Sequence, residues 1–121
     1  MMKRQETVGN DRMIRINIQT REAGAGVVEI RIRADGHAGY AEKGKDIVCA
    51  AVSAGLDALA YYAMAEDADA EVDARDGDMG IRFTVDDTTG GKMLTGAFNA
   101  FVGLMGRMKA EYPDHVDVVM D

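Results

Sequence analysis

Five short stretches of this chain alternate apolar with polar residues, and that pattern limits the fold more than any other feature. Ile14, Ile16 and Ile18 are interleaved with Arg15, Asn17 and Gln19. Val28, Ile30 and Ile32 are interleaved with Glu29, Arg31 and Arg33. The same period recurs over Ala70, Val72 and Ala74, over Met79, Ile81, Phe83 and Val85, and over Val116, Val118 and Met120. Successive side chains of a strand point to opposite faces, so each stretch predicts a strand with one apolar face. A sheet of such strands has one face to cover and one to leave wet.

Two longer segments provide the cover. Asp46 has the character of an N-cap, and from Ile47 to about Glu66 the residues Val48, Val52, Leu56, Leu59 and Ala63 form one helical stripe. Thr88 or Thr89 opens a second helix, with Leu94, Ala97/Phe98, Phe101, Leu104/Met105 and Met108 on its apolar side, and Pro113 stops it. The cluster Glu22 to Gly26 and the run Asp76-Gly77-Asp78 supply turns, so the first two and the next two strands pair as hairpins. The order is ββαββαβ. It predicts an α+β two-layer sandwich, a mixed or antiparallel sheet with two helices on one face. Gly96, Gly103 and Gly106 each weaken the second helix by roughly 1 kcal/mol relative to alanine. Their expected return is close approach to the sheet or to a partner.

A chain of 121 residues is one domain by length, here residues 12–121, preceded by an aperiodic tail at 1–11. With 47% hydrophobic residues it can bury a true core. The net charge of −7 is unevenly spread. Residues 1–45 hold nine Lys/Arg and six Asp/Glu, and residues 46–121 hold five and fifteen. So acidic a whole argues against nucleic acid as the main partner and favours a basic protein or peptide. One cysteine forms no internal disulfide, and Met1 to Arg12 contains no apolar segment of a signal peptide. The longest apolar-rich stretch, roughly Met93 to Gly106, is too short to span a bilayer. A cytoplasmic protein without membrane contact is the expectation. One cysteine and two separated histidines do not provide metal-ligand spacing, and no cofactor motif is present.

The rare residues converge on Gly36 to Ser53. His37 follows the second strand and Cys49 lies twelve positions later, in the first turn of the first helix. A free cysteine is commonly a small buried apolar residue. At a helix start, however, the dipole and unsatisfied N–H groups favour the thiolate, as a nucleophile requires. His37 is either a loop histidine or the general base for that thiol. Asp46 caps the helix and could also orient His37. Ser53, one turn beyond Cys49, is a surface hydroxyl or a polar neighbour of the sulfur. Gly36, Gly39 and Gly44 give the loop its freedom, either as ordinary loop composition or as a cover that orders over a ligand. His115 has no comparable setting and is expected to be solvated.

The run Gly36-His37-Ala38, then Gly44, then Asp46-Ile47-Val48-Cys49-Ala50-Ala51-Val52-Ser53 resembles the signature of the ribosomal-processing cysteine proteases, the Prp family. The resemblance extends along nearly the whole chain, to Glu111-Tyr112-Pro113 before the last strand. The tail 1–11 and the glycine-rich second helix depart from it. It implies a small homodimeric protease with no cofactor. Such proteases remove an N-terminal extension from the large-subunit ribosomal protein numbered twenty-seven, cutting after a pair of phenylalanines. Relatives in phages process capsid or scaffold proteins. It also implies Cys49 as nucleophile and His37 as base, with Asp46, Ser53 and Gly36 accessory and the loop around Gly39 and Gly44 as a mobile cover. Backbone amides at the helix start or around Gly36 would hold the oxyanion. Two other uses of the scaffold remain open on sequence grounds: a catalytically silent ribosome- or phage-associated binding module, and a thiol redox sensor that forms an intermolecular disulfide.

Overall fold

In the computed structural model, which describes residues 13–42 and 45–121, the chain opens with β1 (Ile14–Gly24) and β2 (Val27–Asp35). Then come α1 (Ile47–Glu66), the second hairpin β3 (Glu71–Arg75) and β4 (Asp78–Val85), α2 (Thr89–Glu111) and β5 (Val116–Met120). The order is the ββαββαβ read from the alternation. The segment 1–11, read as a tail, and Gly44, read as part of a cover, lie outside the described residues.

The five strands form one sheet in the order β3-β4-β2-β1-β5. β1 with β2, β2 with β4 and β3 with β4 are antiparallel, whereas β5 lies parallel to β1. A parallel neighbour requires a long crossover, and α2 supplies it by carrying the chain from β4 to the far edge. The alternation underestimates β1. Past Ile18 its side chains are exposed, yet it stays paired with β2 as far as Gly24, with a bulge between Glu22 and Gly24. Backbone pairing, not burial, sets that end.

Both helices pack on one face. Ile16, Ile18 and Phe83 are fully enclosed there with Val48, Leu94 and Met105. Phe83 meets Phe98 edge-on, with centroids 6.3 Å apart. The α1 stripe of Val48, Val52, Leu56, Leu59 and Ala63 is buried as the spacing predicts. Among the described residues α1, at 20 residues, is the one helix long and apolar enough to cross a membrane, which corrects the choice of Met93 to Gly106 as the longest apolar run. Only 33% of that apolar span is buried, and Ile47 and Met64 are exposed apolar residues of the same helix.

The close approach expected of the α2 glycines occurs elsewhere. A Cβ on Gly96, Gly103 or Gly106 would meet nothing within 4 Å. A Cβ on Gly55 of α1 would stand 2.8 Å from Leu104 Cδ2, so Gly55 is where the two helices come together. The other sheet face is polar: Glu29 is covered by Arg21, Arg31 and Arg82, and Arg33 pairs with Asp78 at 2.6 Å.

Register places the site. Asp35 at the end of β2 is opposite both Arg15 of β1 and Asp78 of β4. Just beyond, Gly36 N–H donates to Gly77 O in the β3–β4 turn (2.9 Å), and Ile14 N–H donates to His115 O ahead of β5 (2.9 Å). The β2–α1 loop, the β3–β4 turn and the residue before β5 therefore meet at one end of the sheet.

Candidate active site

Asp46 organises the start of α1. One carboxylate oxygen accepts from the N–H of Val48 and of Cys49, each at 3.0 Å. The other accepts from Tyr40 N–H at 2.9 Å and Ala41 N–H at 3.4 Å. One side chain thus caps the helix and staples the preceding loop to it. Cys49, half-buried in the first helical turn, receives a hydrogen bond at Sγ from Ala38 N–H (3.2 Å).

The thiol departs from the expectation of a helix-start thiolate. Burial pushes its pKa up, and the Ala38 N–H opposes this only in part. The Asp46 charge and its hydrogen bond with the thiol push it further up. Beside burial, the largest cause, the cap works against the thiolate: the Asp46 carboxylate occupies the N–H groups of Val48 and Cys49 and sets a full negative charge where the dipole offers a partial positive one. The Asp46 carboxyl is pulled toward its neutral form by burial. The N–H groups of Cys49, Tyr40 and Ala41, with the thiol, outweigh that and hold it below the usual aspartate value.

His37 is exposed and seated over Gly77. A Cβ on Gly77, which has φ +76°, would lie 2.7 Å from His37 Nε2. Gly77 looks like an ordinary turn residue in the sequence, but here it is the floor under the imidazole. Gly36, at φ +96°, is equally constrained, because a Cβ there would collide with the Met13 carbonyl. The Asp46 oxygens accept from four backbone N–H groups, and among the described residues no hydrogen bond joins Asp46 to His37. Among the described residues no hydrogen bond joins His37 to Cys49, but both line one open cleft of about 690 Å³.

The rest of the cleft is built from three elements. Ser53 and Asp57 extend the Cys49 side, on the next two turns of α1. Arg75, Asp76, Gly77 and Asp78 also line the cleft, where the sequence shows only a strand end and a turn. Gly36 and Gly39 line the loop side. The amides of Val48 and Cys49 are taken by Asp46, which corrects the helix-start oxyanion hole. Ala38 N–H is the backbone donor aimed at the sulfur. His115 is also not the solvated residue expected: it is half-buried, with Nδ1 2.6 Å from Ala38 O and its ring edge-on to Tyr40. Only the fold brings it there, 77 positions from Ala38 in sequence. Among the described residues no group of three or more His, Cys, Asp or Glu side chains could hold a metal ion.

A cysteine at a helix start and a histidine lining the same cleft, on a ββα frame, have the make-up of a cysteine protease. The family model of cysteine protease Prp matches residues 13–117, and the chain belongs to that family. It is similar to a solved structure of the essential ribosomal processing protease Prp from Staphylococcus aureus with a covalently linked product peptide. Identity is 24% and the TM-score 0.71, over 90% of this chain and 100% of that one. The same protease with a substrate peptide gives 22% and 0.67, with the same coverage. SMU.848 from Streptococcus mutans gives 25% and 0.62 over 93% and 99%. A comparison with curated proteins finds no match.

Proposed function

We propose that this chain is an endopeptidase that removes a short N-terminal extension from a large-subunit ribosomal protein, the one numbered twenty-seven, or from a related phage protein. It cuts after a pair of phenylalanines and works as a cytoplasmic homodimer. The observation that carries this reading is the Ala38 N–H on Cys49 Sγ in a cleft shared with His37, within a chain whose family model covers residues 13–117. The chain's single cysteine leaves no other thiol for the role. The Prp structures with substrate and product peptides support a peptide in that cleft. Its charged lining, four aspartates at 46, 57, 76 and 78 against Arg75, suits a basic segment.

In this mechanism the thiol proton of Cys49 passes to His37 as the peptide seats. Catalytic hydrogen bonds that are open in a free enzyme commonly tighten in its complex. The thiolate attacks the scissile carbonyl, and Ala38 N–H turns from sulfur toward the developing oxyanion. The His37 imidazolium gives its proton to the leaving amine. His37 then takes a proton from water, whose oxygen attacks the thioester; the C–S bond breaks, the product leaves as its acid, and the His37 imidazolium returns the proton to the Cys49 thiolate. The raised thiol pKa fits a nucleophile that is protonated at rest and activated by substrate. The test is cleavage of a ribosomal extension peptide containing Phe-Phe. Cys49→Ala and His37→Ala should each abolish turnover without unfolding the protein. Intact cleavage in both variants would end the proposal, and trimmed ribosomal or capsid N-termini in the host, found by mass spectrometry, would identify the substrate.

A further inference from the structure

Ala38 is gripped from two sides. Its N–H donates to Cys49 Sγ at 3.2 Å, and its carbonyl oxygen lies 2.6 Å from His115 Nδ1. A carbonyl only accepts, so His115 Nδ1 carries the proton in this contact. Ala38 itself is fully enclosed. Asp46 holds the next part of the loop through Tyr40 and Ala41 N–H, and Gly36 N–H ties the part before it to Gly77, whereas Ala38 is held through His115, which is fixed on the sheet. Its carbonyl accepts from Ile14 N–H at 2.9 Å, and its own N–H donates to Tyr112 O at 2.9 Å. Its ring is edge-on to Tyr40 (centroids 5.5 Å apart), and Tyr40 is edge-on to Tyr112 (5.4 Å).

We infer that His115 is a positioning residue for the nucleophile: by donating from Nδ1 to the Ala38 carbonyl, it anchors residue 38 to the sheet with its N–H on Cys49 Sγ. His115 does not touch the reacting atoms. It holds the donor that does, so the sulfur is supported by a group fixed to the sheet edge and not by a loop amide alone. This rests on the reading of Cys49 as nucleophile.

Three variants separate the hydrogen bond from mere packing. His115→Asn places an amide donor near the Nδ1 position and removes the ring. His115→Phe keeps a ring against Tyr40 and removes the donor. His115→Ala removes both. The measurements are the rate of Cys49 alkylation by iodoacetamide, kcat and KM on the Phe-Phe peptide, and hydrogen exchange at the Ala38 amide. Losing one hydrogen bond should lower the alkylation rate and kcat about tenfold in the Phe and Ala variants, with KM nearly unchanged. Ala38 exchange should accelerate in the same variants, and His115→Asn should recover most of the loss. A His115→Phe enzyme that matches the wild type, or an Asn variant no better than Ala, overturns the inference. Cleavage that survives in Cys49→Ala would instead remove the underlying reading, so the two failures are distinct.

Discussion

The molecule contains two hairpin–loop–helix units built on one plan, and the first brings Cys49 and His37 to the cleft. In the first, the loop from Gly36 to Asp46 joins β2 to α1; in the second, Asp86, Asp87 and Thr88 join β4 to α2. Both helices start on a polar cap. Thr88 Oγ1 accepts from Gly91 N–H at 3.0 Å and is itself held by Asp86. The second connection is so tight that a Cβ on Gly91 would collide with Asp86. The first connection is long enough to lie open, and it becomes one side of a cleft. Its cap is correspondingly different. A threonine oxygen satisfies one helix N–H, whereas the Asp46 carboxylate satisfies two and has two acceptor positions left for the loop. The same element therefore serves as a plain helix start in one unit and, in the other, as the device that holds a loop over a sulfur.

The sharpest way to break this difference is at Gly36. Alanine there must adopt φ +96° and push against the Met13 carbonyl, and both strain and overpacking oppose it. Urea denaturation of Gly36→Ala should show a loss of about 3 kcal/mol or more. A value near zero would mean that the loop leaves β2 by another route. The caps come next. Thr88→Ala removes one accepted N–H bond and should cost about 1 kcal/mol, but Asp46→Ala also frees Tyr40 and Ala41 and should cost about 2 kcal/mol. Equal losses would contradict the double role of Asp46. The Asp46 contribution has a pH signature. Its carboxyl titrates below the usual aspartate value, so its stabilisation is complete above the unfolded value. It is lost as the pH falls through the depressed folded value. The stability gap between wild type and Asp46→Ala should therefore close in acid and stay constant near neutrality.

The period-two alternation made the five strands legible, and the stripe on α1 predicted its buried residues, because both depend on local spacing. The Asp46 cap was legible for the same reason. The end of β1 was not, because cross-strand pairing beyond Ile18 leaves no apolar mark. His115 and Gly77 were missed because their meaning is non-local. Nothing near His115 in sequence points to Ala38, and Gly77 reads the same whether it carries an imidazole or only turns a hairpin. The raised thiol pKa was not legible because the helix dipole says nothing of the burial of Cys49, nor of the charge of the residue that caps the helix.

That last point gives the third test. Asn is as good an N-cap as Asp and keeps an acceptor for Val48 and Cys49, but it has no charge. Burial aside, the Asp46 charge and its bond with the thiol are what raise the Cys49 pKa, so Asp46→Asn should lower it. Wild-type alkylation rates should climb toward alkaline pH, and the Asn variant should reach its plateau at lower pH and react faster at neutrality. An unchanged midpoint would leave burial as the sole cause.

The smallest effect concerns the glycines of α2, the counterpart of those around the cleft. Gly36 and Gly77 are held by positive φ and close neighbours, whereas Gly96 and Gly103 lie mid-helix facing open space. Alanine at either position should stabilise the protein by about 0.5–1 kcal/mol, because it restricts the unfolded chain and meets nothing in the folded one. Gly55→Ala, pressed against Leu104 Cδ2 at 2.8 Å, should instead destabilise it. Thermal melts of the three variants decide the matter, and protein concentration adds a second axis. If Gly96→Ala stabilises only in dilute solution and loses that advantage as concentration rises, the face it sits on is covered by a second copy. The glycines would then serve association, not the helix that carries them.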